Sequence, residues 1–159
     1  MDFTHSVPGD SLCRFTETSL LVPRLATCRH ESIIIELAER LEGAGRIGNC
    51  PMYVDAVLAH EELASAVFND VAFPVAHSKT VKELSFAFGL TPQPLHWRTA
   101  SAPVVSMVVL IAVPFGEEVG YLSLLTSFCD FLRNKTIVSQ LKHCVRSEEL
   151  SEIFSQAHA

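Results

Sequence analysis

The stretch Val71-Ala72-Phe73-Pro74-Val75-Ala76-His77-Ser78-Lys79-Thr80 runs from an apolar, partly β-branched segment into a histidine, a small polar residue and a lysine. This pattern reads as a short buried strand that delivers an imidazole at its end. The segments on either side decide which layer arrangement such a strand belongs to.

Downstream, residues 84–90 alternate loosely around Phe86 and Phe88 up to a break at Pro92-Gln93-Pro94, and a loop carrying Trp97 follows. Residues 104–113 are then apolar at nearly every position and fenced by Pro103 and Pro114, which predicts a strand buried on both faces. Past Pro114-Phe115-Gly116 the period becomes helical, with Leu122, Leu125, Cys129 and Leu132 on one side of residues 118–132. Asn134 is placed to cap a short helix through Ile137, Val138 and Leu141. Ser147 is placed to cap a last one over 148–157, whose first-turn Glu148 and Glu149 suit the positive end of the helix dipole.

Upstream, Ile33, Ile34, Leu37, Ala38 and Leu41 recur at three and four residues and predict an amphipathic helix over 30–41, ended by Gly43-Ala44-Gly45. Asn49 with Pro51 two residues on marks the start of a second helix through Val54, Val57, Leu58 and Leu63. Ser19-Leu20-Leu21-Val22, closed by Pro23, is a candidate first strand. Residues 1–16, with the turn signal Pro8-Gly9-Asp10, show no sustained period and read as a flexible lead-in to one domain over 17–159. The order is strand, two helices, about three strands, three helices. That is an α/β protein, a three-layer α/β/α sandwich with a mixed sheet.

Composition supports one packed domain. A chain of 159 residues buries roughly two thirds of the surface its unfolded form exposes, and 48% hydrophobic against 19% charged residues argues for a well-filled core. A net charge of −6 without a Lys/Arg cluster leaves no footprint for nucleic acid. The longest apolar run is far short of the ~20 residues that cross a bilayer, and the N-terminus lacks the basic-then-apolar pattern of an export signal, so a cytoplasmic location without membrane insertion is expected. Five cysteines without a Cys-x-x-Cys spacing suit reduced, buried thiols better than a zinc site, and no metal is expected.

The order of elements, together with the residues around His77, resembles the fructose/mannitol and nitrogen-regulatory class of enzyme IIA domains of the bacterial phosphoenolpyruvate-dependent sugar phosphotransferase system, over roughly residues 17–157. In that family a helix ending in an Arg-Glu and a Ser-Thr pair leads to a Gly-rich turn and then to a strand with Ile-Pro-His, whose histidine accepts a phosphoryl group. The matching stretch here is His60-Glu61-Glu62-Leu63-Ala64-Ser65-Ala66-Val67-Phe68-Asn69-Asp70, then Val75-Ala76-His77-Ser78-Lys79. Further counterparts are the proline-flanked strand 105–114, Tyr121-Leu122-Ser123-Leu124-Leu125 for a helix with His-Leu-x-x-Leu, Asn134-Lys135-Thr136-Ile137, and the closing Ser147-Glu148-Glu149-Leu150. Gapless alignment from Glu61 puts Ala76 in the histidine place, and His77 fills it with one extra residue between Asn69 and Val75. The family's second histidine falls on Tyr121, its arginine on His60 and its threonine on Ala66.

The resemblance implies His77 as phosphoryl acceptor, with Ser65, Tyr121 and His60 around it. A phosphoryl-accepting imidazole needs one unprotonated nitrogen facing outward and the other fixed by a hydrogen bond. Donors must also meet the charge on the phosphoryl oxygens. Tyr121 and Ser65 hydroxyls, Ser78 and backbone N–H groups can donate; His60 can donate but lacks the bidentate fork of an arginine. Lys79 taken alone reads as a surface charge and His96 as a loop contact. No cofactor is implied. The implied partners are a histidine-containing phosphocarrier protein as donor and a IIB component or a regulated protein as recipient. Two functions stand beside each other: a phosphocarrier, of sugar-transport or nitrogen-regulatory type, and a IIA-like interaction module that keeps the fold without carrying phosphate.

Overall fold

The structure, a computed structural model, describes residues 12–156. A 3-10 turn, Thr18–Leu20, leads into β1 (Leu21–Val22), α1 (His30–Gly43) and α2 (Cys50–Leu63). Then come β2 (Val67–Phe68), β3 (Val71–Ala72), β4 (Val75–His77), β5 (Ser85–His96) and β6 (Val104–Val113), followed by α3 (Glu118–Leu132), α4 (Lys135–Lys142) and α5 (Ser147–Gln156). The sheet has six strands in the order β1-β5-β6-β3-β2, with β4 also paired to β6. Pairings β1·β5, β3·β6 and β4·β6 are parallel, whereas β5·β6 and β2·β3 are antiparallel, so the sheet is mixed as the element order implied.

The alternation of β6 explains its apolar run, continuous from Met107 to Val113. Val108, Leu110 and Ala112 pack with Ile33, Leu37, Tyr53 and Val57 of α1 and α2. Met107, Val109, Ile111 and Val113 pack with Leu124, Phe128, Leu141 and Phe154 of α3, α4 and α5. Successive residues face opposite sides of a strand, so a central strand between two helical layers needs an apolar side chain at every position. On the second face Phe128 gathers Phe73, Phe86 and Phe154 edge to face, with ring centroids 4.9 to 5.8 Å away, a geometry that rings prefer over a flat sandwich.

The caps hold at two of the three expected places. The Asn49 side chain accepts from Met52 N and that of Asn134 from Thr136 and Ile137 N. Ser147 differs: its hydroxyl donates to Leu21 O at 2.7 Å, which ties α5 to β1. The free N–H groups before α5 go instead to the Glu149 carboxylate, which accepts from Val145 and Arg146 N.

Three further expectations change. The break at Pro92-Gln93-Pro94 lies inside β5, where Leu90 pairs with Met107 and Leu95 with Val105. Residues 91–94 bulge out opposite Ser106, a position where prolines cost no ladder bond. The region expected to hold about three strands holds five, because the segment before β5 is divided into three short pieces. Of the expected lead-in, residues 1–11 lie outside the described residues, and within the remainder Leu12 is fully buried while Phe15 O accepts from Phe86 N.

Candidate functional site

β3 and β4 form one line along β6: Val71 faces Met107, Ala72 faces Val108, and Val75 to His77 face Ile111 to Val113 at an unchanged offset. The line is interrupted only at Phe73-Pro74, where Pro74 has no N–H to give but its carbonyl still accepts from Ile111 N at 3.0 Å. On the upstream side β2 and β3 are joined by the two residues Asn69 and Asp70, with Asn69 at φ 57°, a conformation asparagine tolerates. From Val67 to His77 there is therefore neither a bulge nor a long turn. His77 thus reaches the end of β4 in the same register with β6 that β3 holds. Val75, two residues before His77 on the same strand, is 3% exposed and belongs to the core beneath it.

His77 stands two residues on from Val75 and so faces the same side, toward α3. It is half-buried at the carboxyl end of a parallel strand, the end at which open α/β sheets bind ligands. Its ring meets the Tyr121 ring edge to face with centroids 5.5 Å apart. Burial pushes the Tyr121 hydroxyl up from its ordinary value, which keeps it a proton-bearing donor. Ser78 does not point at a substrate: its N–H donates to Val113 O, its carbonyl accepts from Val81 N and its hydroxyl accepts from Thr80 N, so it closes the turn after β4. Lys79 is exposed. Among the described residues none hydrogen-bonds the His77 ring. The nearest turn of α3 begins with Glu117 and Glu118, and Glu117 O receives the Tyr121 N–H.

Ser65 and His60 are placed elsewhere. His60 lies in the last turn of α2, with its Nδ1 buried and without a hydrogen-bond partner among the described residues, and Ser65 lies in the loop after it, beside the buried Glu61 carboxylate. Glu61 Oε1 accepts from Trp97 Nε1 at 2.8 Å, lies 2.9 Å from His30 Nε2 and is approached by the Ser65 hydroxyl at 3.4 Å. Trp97 stands edge to face with His30, centroids 4.5 Å apart. Ser65 also lines a cavity of 210 Å³ with Trp97, Arg98, Thr99 and Pro103 at the tip of the β5–β6 hairpin. That tip adjoins Val104 while His77 pairs with Val113, and the two ends of β6 are about 30 Å apart at the rise of a strand. The sheet thus brings together His77 and Tyr121, and the Glu61 cluster holds Ser65.

Sequence reading passed over His30 and Trp97 as partners of Glu61. No local period links residues 30, 61 and 97. The only signal was chemical: a glutamate on the inner side of α2 needs donors from somewhere. The thiols of Cys50, Cys129 and Cys144 are pushed up by burial, which weakens them as nucleophiles. Among the described residues no group of three or more His, Cys, Asp and Glu is placed to hold a metal, and no helix is long and apolar enough to cross a membrane.

A mixed sheet between a two-helix and a three-helix layer, with an imidazole and a phenol at the carboxyl end of its central strands, defines an α/β domain of the IIA type. The chain belongs to the family described as phosphoenolpyruvate-dependent sugar phosphotransferase system, EIIA 2, which it matches over residues 17–157. It is 28% identical over 156 residues to the PTS system 2-O-alpha-mannosyl-D-glycerate-specific EIIABC component of Escherichia coli (strain K12), a match that covers 94% of this chain and 22% of that protein. The chain spans about a fifth of the length of the curated relatives it matches. Among solved structures, the nitrogen regulatory protein IIA-Ntr from Neisseria meningitidis superposes with a TM-score of 0.79 at 21% identity, covering 89% of this chain and 97% of that one. Enzyme IIA mannitol, in its complex with phosphorylated enzyme IIB mannitol from Escherichia coli, superposes with a TM-score of 0.72 at 19% identity, covering 87% and 96%. Both structural likenesses concern the fold.

Proposed function

We propose that this chain is a IIA-type phosphocarrier that accepts a phosphoryl group on His77 from a histidine-phosphorylated carrier protein and passes it to a IIB component or uses it to control a partner in the nitrogen-regulatory manner. The observation that carries this reading is the half-buried His77 ring at the carboxyl end of β4, edge to face with Tyr121, the residue on which the family's second histidine falls. The Tyr121 hydroxyl, kept protonated by burial, is a donor for the charge on the phosphoryl oxygens.

The second reading is a IIA-like interaction module that docks on a protein partner and carries no phosphoryl group. Tyr121 in place of the family's second histidine and His60 in place of its arginine favour it. Both readings place the chain in the cytoplasm, where such donors and partners reside.

Intact-mass measurement at neutral to alkaline pH, after incubation with phosphoenolpyruvate, enzyme I and the phosphocarrier protein, separates the two. The carrier reading expects a gain of one phosphoryl group, lost in acid and absent from His77→Ala. No change in mass overturns it and installs the docking reading.

A further inference from the structure

We propose that the groove between α1 and α2 docks a basic amphipathic helix of a partner protein. This goes beyond both readings above by naming a class of partner, and its test is separate, since it reads binding at α1 and α2 and not phosphate at His77.

The groove has a volume of about 470 Å³. Glu31, Ile35, Glu39 and Glu42 lie along one line of α1, and Val54, Asp55 and Leu58 along α2. Residues four and three apart stack on one helix face, and eleven residues at the helical rise make this wall about 16 Å long, the length of three turns. Ile35, 37% exposed, with Val54 and half-buried Leu58, forms an apolar floor. Glu31, Glu39, Glu42 and Asp55 are all exposed along it, and among the described residues no Lys, Arg or His lines it.

Charge selects the occupant. Four carboxylates and no cation along one groove are complementary to lysine or arginine side chains, and they repel the phosphates of nucleic acid and anionic lipid headgroups. Glu42 is fixed in place by accepting from Cys50 N at 3.1 Å. The field is felt inside the groove: burial first, and then Glu42 and Glu39, push the Cys50 thiol up. Shape selects a helix. Two packed helices offer parallel ridges into which the apolar stripe of a third can be laid, anchored at i, i+3, i+4 and i+7, while basic residues on its flanks meet the acidic rims.

The test uses the full chain and a labelled synthetic 18-residue peptide with leucines at i, i+3, i+4 and i+7 and lysines elsewhere, followed by fluorescence anisotropy at about 0.05 M and about 0.5 M salt. Binding that weakens with salt is expected. The double reversal Glu39→Lys/Asp55→Lys and the neutral Ile35→Gln should each weaken it about tenfold or more, with unchanged circular dichroism. Glu148→Lys/Glu152→Lys on α5, an equal change of charge far from the groove, should leave it within about twofold. Absence of binding, equal weakening by the two charge reversals, equal binding of a glutamate-for-lysine peptide, or full binding by Ile35→Gln overturns the proposal.

Discussion

His77 and Tyr121 meet edge to face at 83°, ring centroids 5.5 Å apart, at the carboxyl end of the parallel pair β4 and β6. Val75 lies on the same face of β4, one pleat back toward the core. This geometry sets the Tyr121 hydroxyl donor beside the imidazole. Tyr121→Phe keeps the ring and removes the hydroxyl, and it is expected to slow phosphoryl transfer to His77 about tenfold, by intact mass over time with the phosphoenolpyruvate-dependent donors. An unchanged rate would remove the hydroxyl from the site.

Glu61 holds three elements together, since its carboxylate joins His30 of α1 and Trp97 after β5 to α2. Truncation by Glu61→Ala leaves the Trp97 N–H buried without an acceptor. The expected loss is about 3 kcal/mol. Trp97 is the only tryptophan in the chain, so its emission in denaturant reports both the unfolding and any loosening of the cluster. Retention of wild-type stability in Glu61→Ala would contradict this account.

Gly89 is required by the residue that crosses it. A Cβ built there would lie 2.7 Å from Leu25 Cγ, and Leu25 is buried and bonded by its N–H to Leu90 O. Gly89→Ala is expected to cost about 1–3 kcal/mol through overpacking. Adding Leu25→Ala should relieve part of that cost, so the double variant loses less than the sum of the two singles, by on the order of 1 kcal/mol in a double-mutant cycle.

Asp70 gives the stability a defined acid limb. Burial alone would raise its carboxyl, but hydrogen bonds from Lys142 and Ser106, with the Lys142 charge, outweigh it and hold the group below its ordinary value. A carboxyl depressed in the folded state contributes stability that is whole above its unfolded pKa and is lost as pH falls through the folded one. Unfolding midpoints should therefore decline as pH drops below about 4, and Asp70→Asn should flatten that decline while lowering stability at pH 7 by about 1 kcal/mol. An acid limb of unchanged slope in the variant would remove Asp70 from the explanation.

Most of the architecture could be read in advance because local physics sets it. The three- and four-residue spacing of Ile33, Ile34, Leu37, Ala38 and Leu41 made α1, and all five are buried. Asn49 and Asn134 offered their oxygens to the first N–H groups of α2 and α4. A run bounded by prolines and apolar at nearly every position reads as a strand covered on both sides, which required helices on both faces. What escaped was local as well: prolines read as a break sit in a bulge of β5, because the ladder can skip residues 91–94 when Leu95 resumes pairing with Val105.

By itself the sequence determined the layers, the caps and the placing of His77 at the end of a short buried strand. The tertiary structure alone decided which side chains meet. Ser65, near His77 in an aligned motif, is held in the opposite region beside Glu61. Glu61 Oε1 meets polar groups from positions 30 and 97 because a buried polar oxygen is stabilised wherever the fold brings a donor within reach. The unbroken register from Val71 to His77 likewise appears only in the pairing with β6. Periodicity and propensity act over a few residues and are written in the chain, whereas hydrogen-bond partners and strand register depend on segments dozens of residues apart and exist only once the sheet has formed.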